Sequence, residues 1–299
     1  MSTIALAKNY TSLLDEAFQA ESVTARLNGD PKFTREGASV NEIYYPQIAT
    51  DGLGDYMRQA SNAYPENAVS ISWKHAQFNY DRGTKISVDK MDDQETFNIA
   101  MGMAGRELQR TKVAPEADAF TFATLAGLTG VTAPAEANIS SADDFLSALL
   151  DALNRMDEDE VPAEGRYLFA TPSLVNSLMS LETYKSQQAI EAFAEVVKVP
   201  KKRFVSAIDL RSGRAEDSNL GGYVPASGAK YLNFMVVYKS ALIKYDKHVA
   251  NNLILPENNP DADAYILKYR KYGIVDAYEN QRAGIYVHTS NTPASTGSN

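Results

Sequence analysis

Apolar and polar positions alternate strictly along residues 69–89. Val69, Ile71 and Trp73 interleave with Ser70, Ser72 and Lys74, and Thr84, Ile86 and Val88 interleave with Lys85, Ser87 and Asp89. Between the two runs, Tyr80-Asp81-Arg82-Gly83 reads as a turn, because glycine adopts positive φ without steric cost. Two period-two runs flanking a glycine turn predict a β-hairpin. Arms of about nine residues would reach roughly 30 Å at ~3.3 Å per residue. A lone two-stranded hairpin is marginal in water, so this one needs a surface to lie on. A neighbouring copy of the chain is the candidate, with Trp73 and Phe78 as natural anchors. The competing expectation is that the hairpin folds back and these rings join the local core.

The pattern continues in blocks. Leu13, Leu14, Ala17, Phe18 and Val23 form a helical stripe that Asn28-Gly29-Asp30-Pro31 ends. Residues 40–48 read as extended. Asp92 or Asp93 caps a helix carrying Phe97, Met101, Ala104 and Leu108, and a second helical segment opens at Pro115 after a break. The clearest helix is 141–156, with Ser141 and Asp144 at capping-box spacing. Its stripe is Phe145, Leu146, Leu149, Leu150, Leu153 and Met156. The run 157–160 lacks the spacing of a calcium loop and reads as a solvated acidic turn. A short strand, 167–170, leads directly into a helix at Thr171-Pro172, which argues for mixed α/β topology. Ile190, Phe193, Ala194 and Val197 suggest another helix, 204–208 a strand, and 211–228 a loop. The last third is strand-rich (231–238, 242–246, 265–272, 274–277, 285–288), and 291–299 has tail composition.

The chain has 299 residues, no cysteine and a net charge of −9. Disulfides and thiolate metal sites are excluded. The acidic balance argues against a surface that grips nucleic acid through its phosphates, though not against a container that encloses it. No run approaches the ~18 apolar residues of a membrane-spanning helix. His75, His248 and His288 are far apart and lack metal-ligand spacing. No phosphate-binding or nucleophile-elbow motif is present. Helix capping explains the Asp92-Asp93 pair better than acid–base chemistry. Neither catalysis nor a cofactor is expected.

The order of features resembles the major capsid proteins of tailed bacteriophages with the Hong Kong ninety-seven fold. The resemblance rests on residues 9–16 of the arm, Gly52-Leu53-Gly54-Asp55-Tyr56 and the stretch from Trp73 to Gly83. It continues through residues 89–96, the segment from Arg110 to Phe120, Tyr167-Leu168-Phe169-Ala170-Thr171-Pro172 and the final strands, and so covers roughly 5–290. It implies an α+β chain divided into an N-terminal arm (1–45), an extended β-hairpin loop region (46–92) and a peripheral domain with a spine helix (93–165). An axial domain (166–230), returning strands (231–290) and a flexible tail (291–299) complete it.

That resemblance implies a shell protein, made in the host cytoplasm and built into the virion. It would self-assemble through hexamers and pentamers into an icosahedral capsid around double-stranded DNA, with no membrane and no sequence-specific DNA contact. Its partners would be a separate scaffolding protein, a portal and decoration proteins. Intersubunit contacts are expected at Trp73, Phe78, Tyr80, Arg82 and Lys85. Lys74, Lys85 and Lys90 are available for the lysine–asparagine crosslink of some members, but no partner asparagine can be matched. Forty residues of arm are too short for a fused scaffold. An encapsulin-type nanocompartment shell is the alternative; a small oligomeric enzyme and a tail component are the other rivals.

Overall fold

The computed structural model describes residues 22–29, 35–36, 41–56, 58, 68–91, 100–181, 183–214 and 220–295. The expected N-terminal helical stripe falls almost wholly, and the Asp92/Asp93 cap entirely, outside them.

Twelve strands are described, in four sheets. The central sheet has the order β12 (Ile285–Pro293), β9 (Lys230–Tyr238), β5 (Arg166–Ala170), β6 (Glu195–Lys198). Only the β5–β6 pair is parallel. Both faces of this sheet are covered. Leu168, Ala170, Phe234, Val236 and Tyr286 face one cluster, and Phe169, Met235, Val237, Ile285 and Val287 face the other. Alternate residues of the same strands thus enter different cores, which is why 231–238 is nearly continuously apolar.

Three helices cover the first face: Ala142–Glu158, Pro172–Ser180 and Tyr184–Glu191. In the longest, Ser141 accepts from the Asp144 amide and the Asp144 carboxylate accepts from the Ser141 amide, completing the capping box. These bonds hold the Asp144 carboxyl below its usual range. At its far end the acidic run is not simply solvated: Asp157 pairs at 2.7 Å with the almost fully buried Arg166.

On the opposite face, Phe122 and Leu125 from the end of a helical rod pack with Leu27, Phe204, Leu242 and Val275. The rod runs through α1 (Ala100–Leu108), a π-helical turn (Gln109–Val113) and α2 (Ala114–Gly127). A break at Pro115 was expected, but the rod is continuous. Proline has no amide to offer the carbonyl four residues back, and a wider turn immediately before it absorbs the mismatch.

A second sheet joins β4 (Tyr80–Asp89) and β10 (Leu242–Ile254) to either side of β11 (Ala264–Ala277). The third contains β1 (Arg35–Glu36), β2 (Glu42–Thr50) and β3 (Val69–Gln77). The fourth is the small pair β7 (Ile208–Leu210) and β8 (Tyr223–Pro225).

These two sheets correct the expected hairpin. β3 and β4 occupy the expected segments but do not pair with each other. β3 pairs along its whole length with β2, and β4 with β11. The chain changes sheets at Phe78-Asn79, not at Gly83. Gly83 lies within β4 opposite Arg270, where an added Cβ would meet the Tyr269 carbonyl oxygen at 2.9 Å. The glycine serves close strand approach, not a turn. An extended hairpin exists, but its arms are β2 and β3, and it starts at Glu42 within the segment read as arm.

Two smaller expectations also fail. Residues 195–198 form a strand parallel to β5, not the end of a helix. Of residues 204–208, Val205 makes an isolated bridge to Tyr231, Phe204 fills the core, and only Ile208 enters a strand, as the first residue of β7.

Candidate assembly interface

The β2–β3 hairpin has a buried base and an exposed outer half. At the base, Ile43, Tyr45 and Ala76 pack with Ile243 and Ile274. Tyr45 meets Tyr278 edge-on at 5.0 Å, and burial raises its phenol pKa. Lys74 bonds Glu279 at 3.0 Å, and that bond lowers the Glu279 pKa.

Beyond the base the two faces differ. The register places Pro46 opposite Trp73, Ile48 opposite Ile71 and Thr50 opposite Val69. Directly opposed residues of an antiparallel pair share a face, so these six form one stripe. Along it Ile48, Val69 and Ile71 are each about 60% exposed and Trp73 47%. The other face carries Gln47, Ala49, Ser70 and Ser72 over the same length. An apolar stripe on one side of a projecting ribbon is the pattern of a docking surface. Covering each such side chain would gain about 1.5–3 kcal/mol.

The five anticipated contact residues do not share this surface. Trp73 lies on the stripe. Phe78 is half-buried at the crossing between sheets, stacked on Tyr272 at 4.8 Å, with Tyr245 edge-on and the Lys247 ammonium 5.1 Å from its ring centre. Tyr80 is a core residue, so its expected role as a surface contact is corrected. Its ring packs on Phe120, and desolvation raises its phenol pKa well above the ordinary value. Arg82 makes a two-pronged bond to Glu116 (2.6 and 3.2 Å) and donates to the Gly222 carbonyl. Lys85 is exposed on β4 opposite Lys268. Sequence reasoning missed Pro46 and Ile48. The signal was present in the extended stretch 40–48, where Pro46 and Ile48 stand two apart as Ile71 and Trp73 do in β3.

A second constellation ties the segment before the hairpin to the body. Asp118 on α2 is fully buried. Its carboxylate accepts from Ser22 Oγ (2.7 Å), Thr24 Oγ1 (2.8 Å), the amides of Val23 and Thr24, and Arg203 Nη1 (3.1 Å). Lys244 on β10 donates to the Thr24 carbonyl (2.9 Å) and to Asn28 Oδ1 (2.5 Å), while its own carbonyl accepts from the Gly29 amide. Residues 22–29 are therefore clamped by charged groups from the helical rod and the second sheet. Among the described residues there is no cluster of His, Asp and Glu able to hold a metal ion.

Buried two-faced sheet, helical rod and projecting hairpin together define a capsid-type α+β fold, and solved structures carry the same arrangement. The chain is similar to the virus-like particle protein of Pyrococcus furiosus, with a TM-score of 0.58 and 12% identity over 94% of this chain and 98% of that one. It is also similar to a chain of the bacteriophage PhiM1 mature capsid (TM-score 0.57, 12% identity, covering 84% and 82%). A chain of the cyanophage P-SCSP1u capsid gives 0.53 and 12% identity, covering 86% and 85%. No family model matches the sequence, and no curated protein matches it. The chain has the fold of tailed-phage capsid proteins, at identities where only the fold is preserved.

Proposed function

We propose that this chain is a tailed-phage major capsid protein. It assembles through hexamers and pentamers into an icosahedral shell enclosing double-stranded DNA in the virion, and its role is structural, not catalytic. The observation that carries the reading is the apolar stripe of Ile48, Val69, Ile71 and Trp73 on a hairpin that projects from a capsid-type fold.

The stripe seats on a different patch of the next copy. Such a head-to-tail contact closes into rings when the rotation permits. In this reading α1, α2 and the β4–β10–β11 sheet form the peripheral part. The β5–β6–β9–β12 sheet with its three helices forms the axial part, around which the rings close. A separate scaffolding protein, a portal and decoration proteins are its partners. The net charge of −9 suits a container, since a strongly basic lining would hold packaged DNA by its phosphates.

The test is expression of the full chain, alone and with its scaffold, followed by electron microscopy and nucleic-acid analysis. Closed shells from the native chain are expected, with Ile71→Asp and Trp73→Asp giving folded subunits that form none. Native subunits that stay monomeric with scaffold present would overturn the proposal, as would normal shells from both variants. Shells that hold a specific protein cargo and no DNA would favour a nanocompartment instead.

A further inference from the structure

The interior beside the arm clamp contains an uncompensated cation. Two carboxylates lie near Lys244, and each is already matched by another positive group: Asp246 by Lys271 (3.1 Å) and Asp118 by Arg203 (3.1 Å). Lys244 itself is buried, and its two hydrogen-bond partners, the Thr24 carbonyl and the Asn28 side-chain oxygen, are neutral. An ammonium has three donors, so one remains.

Lys244 also lines a small cavity. Tyr80, Phe120 and Thr121 line it on the side of β4 and the rod, and the Lys271–Asp246 ion pair, Gly273 and Ile274 line it on the side of the second sheet. The space available to a water-sized occupant is about 20 Å³. One water needs roughly 10–15 Å³ by the same measure, so the room suits a single small species. Burying a charge without a counter-charge is costly, and proteins meet the cost by pairing it or by neutralising the group.

We propose that this cavity is a halide-sized anion site, in which a small monovalent anion such as chloride accepts from Lys244 and neutralises it. The anion thereby consolidates the clamp on residues 22–29. Tyr80, whose hydroxyl bonds Glu116 (3.3 Å), lines the cavity with Phe120 and Thr121 as an uncharged side, and the Asp246 carboxylate on the other side is already matched by Lys271. Both features suit a weakly hydrated anion better than a phosphate. Desolvation, with Lys271 nearby, depresses the Lys244 pKa to about 7. This is the behaviour expected of an ammonium that lacks a dedicated counter-ion, and it fits binding that strengthens as pH falls.

The test uses the full chain in sodium chloride and in sodium gluconate at equal ionic strength. A saturable rise of the melting midpoint with chloride is expected near neutral pH, weakening at pH 9 and absent in Lys244→Met. Crystals grown in sodium bromide give a readout that needs no variant: an anomalous peak in contact with Lys244 Nζ is expected. Identical melting in the two salts would overturn the proposal. So would a chloride effect that survives in Lys244→Met, or a bromide map showing only water in the cavity.

Discussion

Asp118 shows what a single side chain does in this fold. It is the point where residues 22–24, the helical rod and Arg203 meet. Removing one partner of a buried ion pair strands the other, typically at 3–5 kcal/mol. Asp118→Ala is therefore expected to lower stability by about that amount in urea unfolding, and to open residues 22–29 to proteolysis before the core melts. Lys244 adds a pH dependence. Its folded pKa is about 7 against 10.5 unfolded. Between these values the unfolded chain binds a proton that the folded chain does not, so this group's contribution to stability falls as pH drops from about 10.5 to 7 and is flat below. Lys244→Met should remove that slope from a stability–pH series in gluconate. Neither residue was legible in the sequence. Asp118 binds partners 94–96 positions upstream and 85 downstream, and no local periodicity reports such a meeting.

Elements were far more legible than their partners. Period-two runs marked β3 and β4, the apolar stripe and capping box marked the 142–158 helix, and Thr171-Pro172 marked the helix after β5. Those signals are local, set by which side chains share a face. Strand pairing is not local. A glycine between two strand-like runs suits a hairpin turn and a close strand crossing equally well, and only the competition between β2 and β11 for the available edges decides. Gly83→Val tests the crossing. Its Cβ would press on the Tyr269 carbonyl, and a loss of roughly 1–3 kcal/mol is expected from such overpacking, with hydrogen exchange accelerating first along β4. Full stability in the valine variant would show that the strands have room to separate. The π turn before Pro115 belongs to the same lesson. Proline announced a disturbance in the rod, but not that the disturbance would be absorbed without breaking it.

For the whole molecule, the order of segments conveyed the architecture better than any motif did. Extended ribbon, long helix, capped helix and late strands follow one another in the described residues, in a fold shared with solved capsid structures at only 8–14% identity. The exposed apolar stripe was only partly legible. Trp73 was expected to be exposed from its place on a strand and is, whereas Tyr80 looked like its companion until the sheet change turned it inward. If the hairpin docks on a neighbour, amides of 69–73 should exchange fast in free subunits and slowly in assembled particles, while those of β9 stay protected in both. Equal exchange in the two states would remove the hairpin from the interface.

The crossing at Phe78-Asn79 has a mechanical consequence. Only two residues separate a ribbon that reaches outward from a strand locked into the body, and the Asn79 side chain makes both a donor and an acceptor bond to the Val275 backbone (2.8 and 3.1 Å), imitating a missing rung of the sheet. A load applied to the ribbon is shared between its buried base, Ile43, Tyr45 and Ala76, and this one amide group where the chain enters the body. Asn79 is thus one of the pins of a lever, and it shares with that packed base the task of holding the angle at which the ribbon leaves the body.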